Sequence, residues 1–236
     1  MCFYNSCSKR ALAVAKRYGR KTDLIEIVQE ILDEQHKITA FSHPDCYMIT
    51  NNENIQTAKW GLIPHWTKTE TDAKIVSNMT LNARSETVFS LPSFRIPIQT
   101  NRCLIPSTGY FEFQHNGKEV TPHYIFLKDE EIFSLAGVYE KWRHPVTKEI
   151  TMTFSVLTVP ANELCATIHN GGKNPFRMPL IIPQSSEEKW LDATLSKTEI
   201  ADFFQPYNTE LMDAYAISKD FIKRNPKDAS IIERAA

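Results

Sequence analysis

Apolar positions follow a helical period over the first part of this chain and give way to short β-type runs from about residue 38. Between residues 9 and 21, Ala11, Leu12, Val14 and Ala15 stand among Lys9, Arg10, Lys16, Arg17, Arg20 and Lys21 with no acidic residue, which predicts a helix ended by Gly19. Its basic face reads equally as a solvated surface or as a stripe contacting phosphates. Residues 23–35 repeat Leu24, Ile27, Val28, Ile31 and Leu32, an amphipathic helix with Asp23 in its first turn and those five residues in the core. Strands are predicted over 38–41, 47–50 and 55–60, interrupted by Ser42-His43-Pro44, with a polar loop over 67–74. A strand over 102–106 runs through Ser107-Thr108-Gly109 into Tyr110-Phe111-Glu112-Phe113, and Asn116-Gly117 marks a hairpin turn.

Further strands are expected over 123–127, 132–138 and 151–159, then a short helix over 161–168, a glycine-containing loop over 170–176 and a strand over 180–182. Ser185 with Glu188 and Ser196 with Glu199 form capping boxes that open two helices, and a last strand covers 214–217. Together these elements predict a mainly antiparallel meander with few helical insertions. No repeat or linker interrupts it, so residues 1–236 are expected to form one domain.

A chain of 236 residues with net charge −1 can bury a substantial core, and any nucleic-acid contact has to come from a local patch. Cysteines at 2, 7, 46, 103 and 165 include no C-x-x-C pair, so neither a disulfide framework nor a zinc site is encoded. With no signal-peptide core or membrane span in view, a cytoplasmic protein is expected. The chain lacks a Walker loop, G-x-G-x-x-G, G-x-S-x-G and H-E-x-x-H, which removes support for nucleotide hydrolysis, Rossmann cofactors, the hydrolase elbow and zincin chemistry.

Chemistry then rests on a few residues. Cys2 is small enough for Met1 to be removed, which would leave a 1,2-aminothiol able to form an imine with an aldehyde and close a thiazolidine ring. If Met1 stays, Cys2 has only an amide nitrogen and that ring cannot form. Asn82-Ala83-Arg84-Ser85-Glu86-Thr87 gathers amide, guanidinium, hydroxyl and carboxylate groups, and reads alternatively as a helix cap. Glu112 among aromatics would have a raised pKa suited to general acid or base work, unless alternation turns Tyr110 and Glu112 to solvent. His169 ends an element beside the glycine-containing loop, where it can face a cleft. Trp66, in Trp60-Gly61-Leu62-Ile63-Pro64-His65-Trp66, either packs a corner or stacks on an unpaired base.

In this order, Met1-Cys2, the Trp60 to Trp66 stretch, Asn82-Ala83-Arg84-Ser85-Glu86, Arg102-Cys103-Leu104-Ile105-Pro106 with Gly109-Tyr110-Phe111-Glu112-Phe113, Ala136-Gly137-Val138-Tyr139-Glu140, and His169 with Arg177-Met178-Pro179 resemble the SRAP (SOS response-associated peptidase) family of abasic-site processing proteins. The resemblance implies an α+β fold, with a barrel-like, mainly antiparallel sheet and peripheral helices. It implies capture of the ring-opened abasic sugar of single-stranded DNA by Cys2 as a thiazolidine crosslink that shields the lesion. In that scheme Asn82 orients the first residue, Glu112 is the general acid/base and His169 assists proton transfer. Arg84 and Arg177 would hold phosphates, Trp66 would stack or wedge at the lesion, and Pro44 would mark a further DNA contact. No metal, cofactor or membrane partner is expected; the sequence leaves the oligomeric state open, with a monomer favoured.

Three departures stand out: Phe3-Tyr4 replaces the family's Gly-Arg, Phe41-Ser42-His43-Pro44 replaces its Tyr-Asn-x-x-Pro, and seven residues separate His169 from Arg177 where the family usually has the two closer. Two other readings of the same residues are a peptidase or self-processing N-terminal-nucleophile hydrolase, and a module that binds DNA without bonding to it.

Overall fold

A computed structural model describes residues 2–22 and 32–235. The predicted first helix is α1 (Ala11–Tyr18), and Gly19 ends it at φ 59°, a left-handed conformation that disfavours a Cβ. Its basic face is taken up by carboxylates from distant segments: Lys9 pairs with Glu131, Arg10 with Glu34, Arg17 with Glu187 and Glu130, Arg20 with Glu188, and Lys21 with Glu53. These pairs compete for the cations that a phosphate would need, and the Arg10 and Lys21 pairs remain largely in solvent. Most of the helix expected over 23–35 lies outside the described residues; Leu32 is buried, and Gln35 already begins a strand.

Thirteen strands follow among the described residues: β1 (Tyr4–Cys7), β2 (Gln35–Thr39), β3 (Asp45–Met48), β4 (Gln56–Trp60), β5 (Asn82–Arg84), β6 (Arg102–Ser107), β7 (Gly109–Asn116), β8 (Glu119–Leu127), β9 (Phe133–Arg143), β10 (Ile150–Pro160), β11 (Arg177–Pro179), β12 (Ile181–Ile182) and β13 (Met212–Ala216). One antiparallel sheet has the order β13-β8-β7-β1-β2, and the larger one runs β12-β9-β10-β4-β3 with β5 and β11 on β10 and β6 on β9. An isolated bridge between Ile49 and Leu104 brings the β3 side back towards β6. The larger sheet thus curls like a barrel without a closed ladder, and the architecture is α+β. β6 and β7 are nearly continuous, so the chain crosses from one sheet to the other at Thr108.

β1 lies between β7 and β2, and a buried polar seam seats it. Asn5 donates to the Pro106 carbonyl at 3.2 Å and accepts from the Ser107 hydroxyl at 2.7 Å, while Ser6 and Thr108 share a 3.0 Å hydroxyl contact. On the far side of β2, the Lys37 ammonium donates to the carbonyls of Phe221, Ile222 and Arg224 at 3.0, 2.6 and 2.8 Å. That arrangement ties a segment near the end of the chain to the sheet.

The helices are peripheral. The stretch over 67–74, expected as a loop, instead enters α2 (Glu70–Met79): Thr69 caps the Asp72 N–H at 3.0 Å, and Glu70 and Asp72 suit the first turn. With only Ala73 and Ser77 buried, this helix carries little of the apolar periodicity that marks helices in sequence. After α3 (Pro97–Thr100) comes α4 (Glu163–Ile168), capped by Asn162, then α5 (Glu187–Leu191) and α6 (Lys197–Ala201). The Ser196/Glu199 capping box forms as expected. The Ser185/Glu188 box does not: Ser186 takes the N-cap position, and Glu188 is drawn to Arg20 on the α1 side.

Candidate active site

Residue 2 leads into β1, which is held on both edges by β2 and β7, and the Phe3 carbonyl accepts a further bond from the Ala40 N–H at 2.9 Å. Cys2 is buried at 0 % exposure. Its carbonyl accepts a hydrogen bond from the Asn82 side-chain amide at 2.9 Å, and its thiol faces the Tyr4 carbonyl at 3.6 Å. Burial pushes the thiol well above its usual range, and the Glu112 carboxylate adds to the effect. Asn82 belongs to a strand and not to a helix cap: β5 runs parallel to β10, with Asn82 level with Val156.

Glu112 is on β7, where both faces are covered. Tyr110 and Phe111 are fully buried and Glu112 is 4 % exposed, so the reading that turned Tyr110 and Glu112 to solvent does not hold. Phe111 stacks on Phe221 at 5.0 Å on one side, while the Tyr110 hydroxyl meets the Cys165 thiol of α4 at 3.1 Å on the other. Burial raises the Glu112 carboxyl to about 8. Among the described residues, its Oε1 and the Asn82 Oδ1 have no hydrogen-bond partner. Buried polar atoms in native proteins are seldom left so.

His169 follows α4. Its Nδ1 sits 2.9 Å from the Arg177 carbonyl and 3.2 Å from the Arg177 N–H, which fixes the ring against β11. Its Nε2 points to Glu112 Oε2 at 3.8 Å. Burial lowers the imidazole to about 4, so near neutral pH a mostly protonated carboxyl faces an unprotonated ring.

A cleft of about 450 Å³ opens beside these groups, lined by Phe3, Tyr4, Glu112 and His169 and by the Gly171 to Asn174 stretch. The loop over 170–176, which separates His169 from Arg177, is clasped to β7: the Asn170 amide accepts from the His115 N–H at 2.8 Å and donates to its carbonyl at 3.0 Å. Gly171 allows this close approach, since a Cβ there would lie 2.3 Å from the His115 ring. Another cleft, of about 460 Å³ beside Ile181, Phe203 and Tyr207, contains none of the chemical residues.

Arg84 is exposed and donates to the Asn174 side chain of the loop. Arg177 is 8 % exposed, and its guanidinium is engaged by Glu86 and by the Thr158 carbonyl at 2.6 Å. Trp66 is 52 % exposed in the turn after His65. Pro44 is half-buried, and its carbonyl accepts from the Trp60 N–H at 3.0 Å. Pro44 thus adjoins the end of β4 and Trp66 lies in the turn that follows it in the chain, whereas Cys2, Asn82, Glu112 and His169 gather around the start of β1. The Tyr110/Cys165 pair escaped sequence reasoning; only the helical placement of Cys165 opposite an inward-facing β7 could have signalled it. Among the described residues, no group of three or more His, Cys, Asp or Glu side chains is arranged to hold a metal, and no helix is long and apolar enough to cross a membrane.

Residues 1–223 match the family described as SOS response associated peptidase (SRAP), and the chain belongs to that family. It is 35 % identical over 228 residues to the abasic site processing protein YoqW of Bacillus subtilis, covering 91 % of this chain and 96 % of that one. It is 31 % identical over 154 residues to the abasic site processing protein HMCES of Gallus gallus, covering 57 % of this chain and 44 % of that protein. A crystal structure of a protein from Bacteroides thetaiotaomicron superposes with a TM-score of 0.97 at 49 % identity over the whole of both chains.

Proposed function

We propose that this protein captures abasic sites in single-stranded DNA by bonding the lesion sugar to Cys2, once Met1 has been removed. The observation that carries the reading is the Asn82 bond to the Cys2 carbonyl at 2.9 Å, which tethers residue 2 in the neighbourhood of Glu112 and His169. The closed abasic sugar is a hemiacetal. Protonation of its ring oxygen and loss of the hydroxyl proton open it to an aldehyde, a step suited to a neutral carboxyl facing a neutral imidazole. The free amine of Cys2 then adds to the aldehyde carbon with transfer of one amine proton to the oxygen. The resulting hydroxyl leaves as water with a proton from Glu112, and the iminium N–H returns that proton to the carboxylate to leave the imine. Addition of the thiol to the imine carbon closes the thiazolidine, its proton passing to the ring nitrogen, so the net change is the loss of one water. Burial favours uncharged forms, and only an uncharged amine attacks. Arg84 would hold a phosphate beside the cleft, and Arg177 would add positive charge behind it while its main chain orients His169. Trp66 would stack on an unpaired base of the bound strand, with Pro44 as a further contact. The relatives' shared name, abasic site processing protein, supports the same substrate.

Incubation with an abasic single-stranded oligonucleotide should give a denaturation-resistant adduct whose mass equals protein plus DNA minus one water. Cys2→Ala should give none. Turnover of peptides without DNA, in the absence of any adduct, would instead identify an N-terminal-nucleophile hydrolase.

A further inference from the structure

Phe41 is 55 % exposed although large aromatic side chains carry most of the burial energy in a fold. Its ring is not loose. Its centroid is 4.9 Å from that of Phe3, at an interplanar angle of 33°, and 6.1 Å from that of Tyr4. Phe3 and Tyr4 line the cleft beside Glu112 and His169, so Phe41 prolongs that wall into solvent. The backbone beneath is fixed as well. Phe41 sits in the short turn Ala40–Ser42, the Ala40 N–H donates to the Phe3 carbonyl at 2.9 Å, and His43 closes the turn in the left-handed region at φ 48°. The His43 ring is in turn held between the Trp60 carbonyl at 2.7 Å and the Asn78 side chain at 3.2 Å. A preorganised, half-solvated aromatic face is therefore continuous with the cleft, and an exposed lysine, Lys173, lines that same cleft.

From this juxtaposition we infer that Phe41, backed by Phe3, is a stacking subsite for the unpaired base next to the lesion, with Lys173 available to the backbone phosphate. The inference rests on reading the cleft as a site for abasic single-stranded DNA. An aromatic face with a nearby cation suits an unpaired nucleotide, because every base offers a π-face and every link a negative charge. Tyr4 and Phe3 approach the lesion from the nucleophile's own strand, so a base stacked on Phe41 would fix the sugar's position along the cleft.

The test uses binding and not crosslinking, so that it can fail independently of the capture chemistry. Fluorescence anisotropy would follow the intact protein on a single strand carrying a stable abasic analogue with no aldehyde. On a strand with ordinary flanking nucleotides, Phe41→Ala should weaken binding about 5- to 100-fold, and Phe41→Trp should restore it. On a strand whose flanking positions also lack bases, wild type and Phe41→Ala should bind alike. Unchanged binding of Phe41→Ala to the ordinary strand, or equal weakening on both strands, would overturn the inference. Because Phe41 is exposed and its turn is held by backbone bonds, loss of fold is not expected, and equal Tm values for the variants would verify that.

Discussion

Two clusters of buried polar side chains in this protein are built on opposite terms. In the first, Arg17 makes a two-pronged contact with Glu187 at 3.0 and 2.9 Å, Glu187 accepts from the Ser134 hydroxyl at 2.6 Å, and Ser134 meets the Tyr18 hydroxyl at 2.7 Å. The Glu187 carboxylate is matched from several sides by donors of α1 and β9. In the second, Glu112 is as deeply buried, but one oxygen lacks a hydrogen-bond partner among the described residues and the other stands 3.8 Å from His169. The first arrangement joins segments far apart in the chain. The second leaves acceptor capacity beside a cleft, where a substrate can use it, and at a cost to the fold that a structural site would not retain.

The difference can be broken from either side. Glu112→Gln removes the transferable proton but keeps size and polarity, so crosslinking should slow by about 10²- to 10⁴-fold while urea denaturation shows no loss of stability at pH 8. A variant that crosslinks at the wild-type rate would remove Glu112 from the mechanism. Glu187→Ala should do the reverse. Leaving Arg17 with only the 3.6 Å contact to Glu130, and Ser134 without its acceptor, should cost about 3 kcal/mol, seen in the urea midpoint, with the crosslinking rate per folded molecule unchanged. A loss below about 1 kcal/mol would mean that the first cluster is no more structural than a surface pair.

The smallest effect sharpens the contrast through pH. Because the folded protein holds the Glu112 proton up to about 8, against an ordinary value of 4.5, it binds that proton more tightly than the unfolded chain does. This contribution to stability is fully present below 4.5 and is lost as pH rises towards 8. His169 works in the other direction: its ring is held neutral down to about 4, so stability falls as pH drops from 6.5 towards 4. The crosslinking rate should decline about fivefold between pH 8 and 9 as the carboxyl ionises, and Glu112→Gln should lack that decline. A stopped-flow pH series with both proteins would show whether the limb belongs to Glu112.

Local features were the ones legible in the sequence. Gly19 as a helix stop, the Asn116-Gly117 turn, the Ser196/Glu199 box and the long alternating strands all depend on neighbours a few residues apart. What escaped depends on partners brought together by the fold. The basic face of α1 could not be resolved because its carboxylates come from positions as distant as Glu187 and Glu188. The same distant pull emptied the Ser185/Glu188 box. Glu112 stood out as a carboxylate among aromatics, but which way it faced required knowing that α4 covers one side of β7 and Phe221 the other. Asn82 emerged only through family resemblance, since its neighbours alone allowed a helix cap. α2 was hidden for the opposite reason: it buries so little that no apolar period announces it.

The position of β1 has a mechanical consequence. A strand with neighbours on both flanks is loaded in shear when pulled along its length, and its hydrogen bonds must yield together instead of peeling one at a time. A nucleic acid fastened at residue 2 would thus be moored to an inner strand of a sheet, next to the edge strand β2, which is itself anchored by the Lys37 ammonium. Tension on the trapped strand would be spread over the body of the protein, and the head of the chain would resist being drawn out.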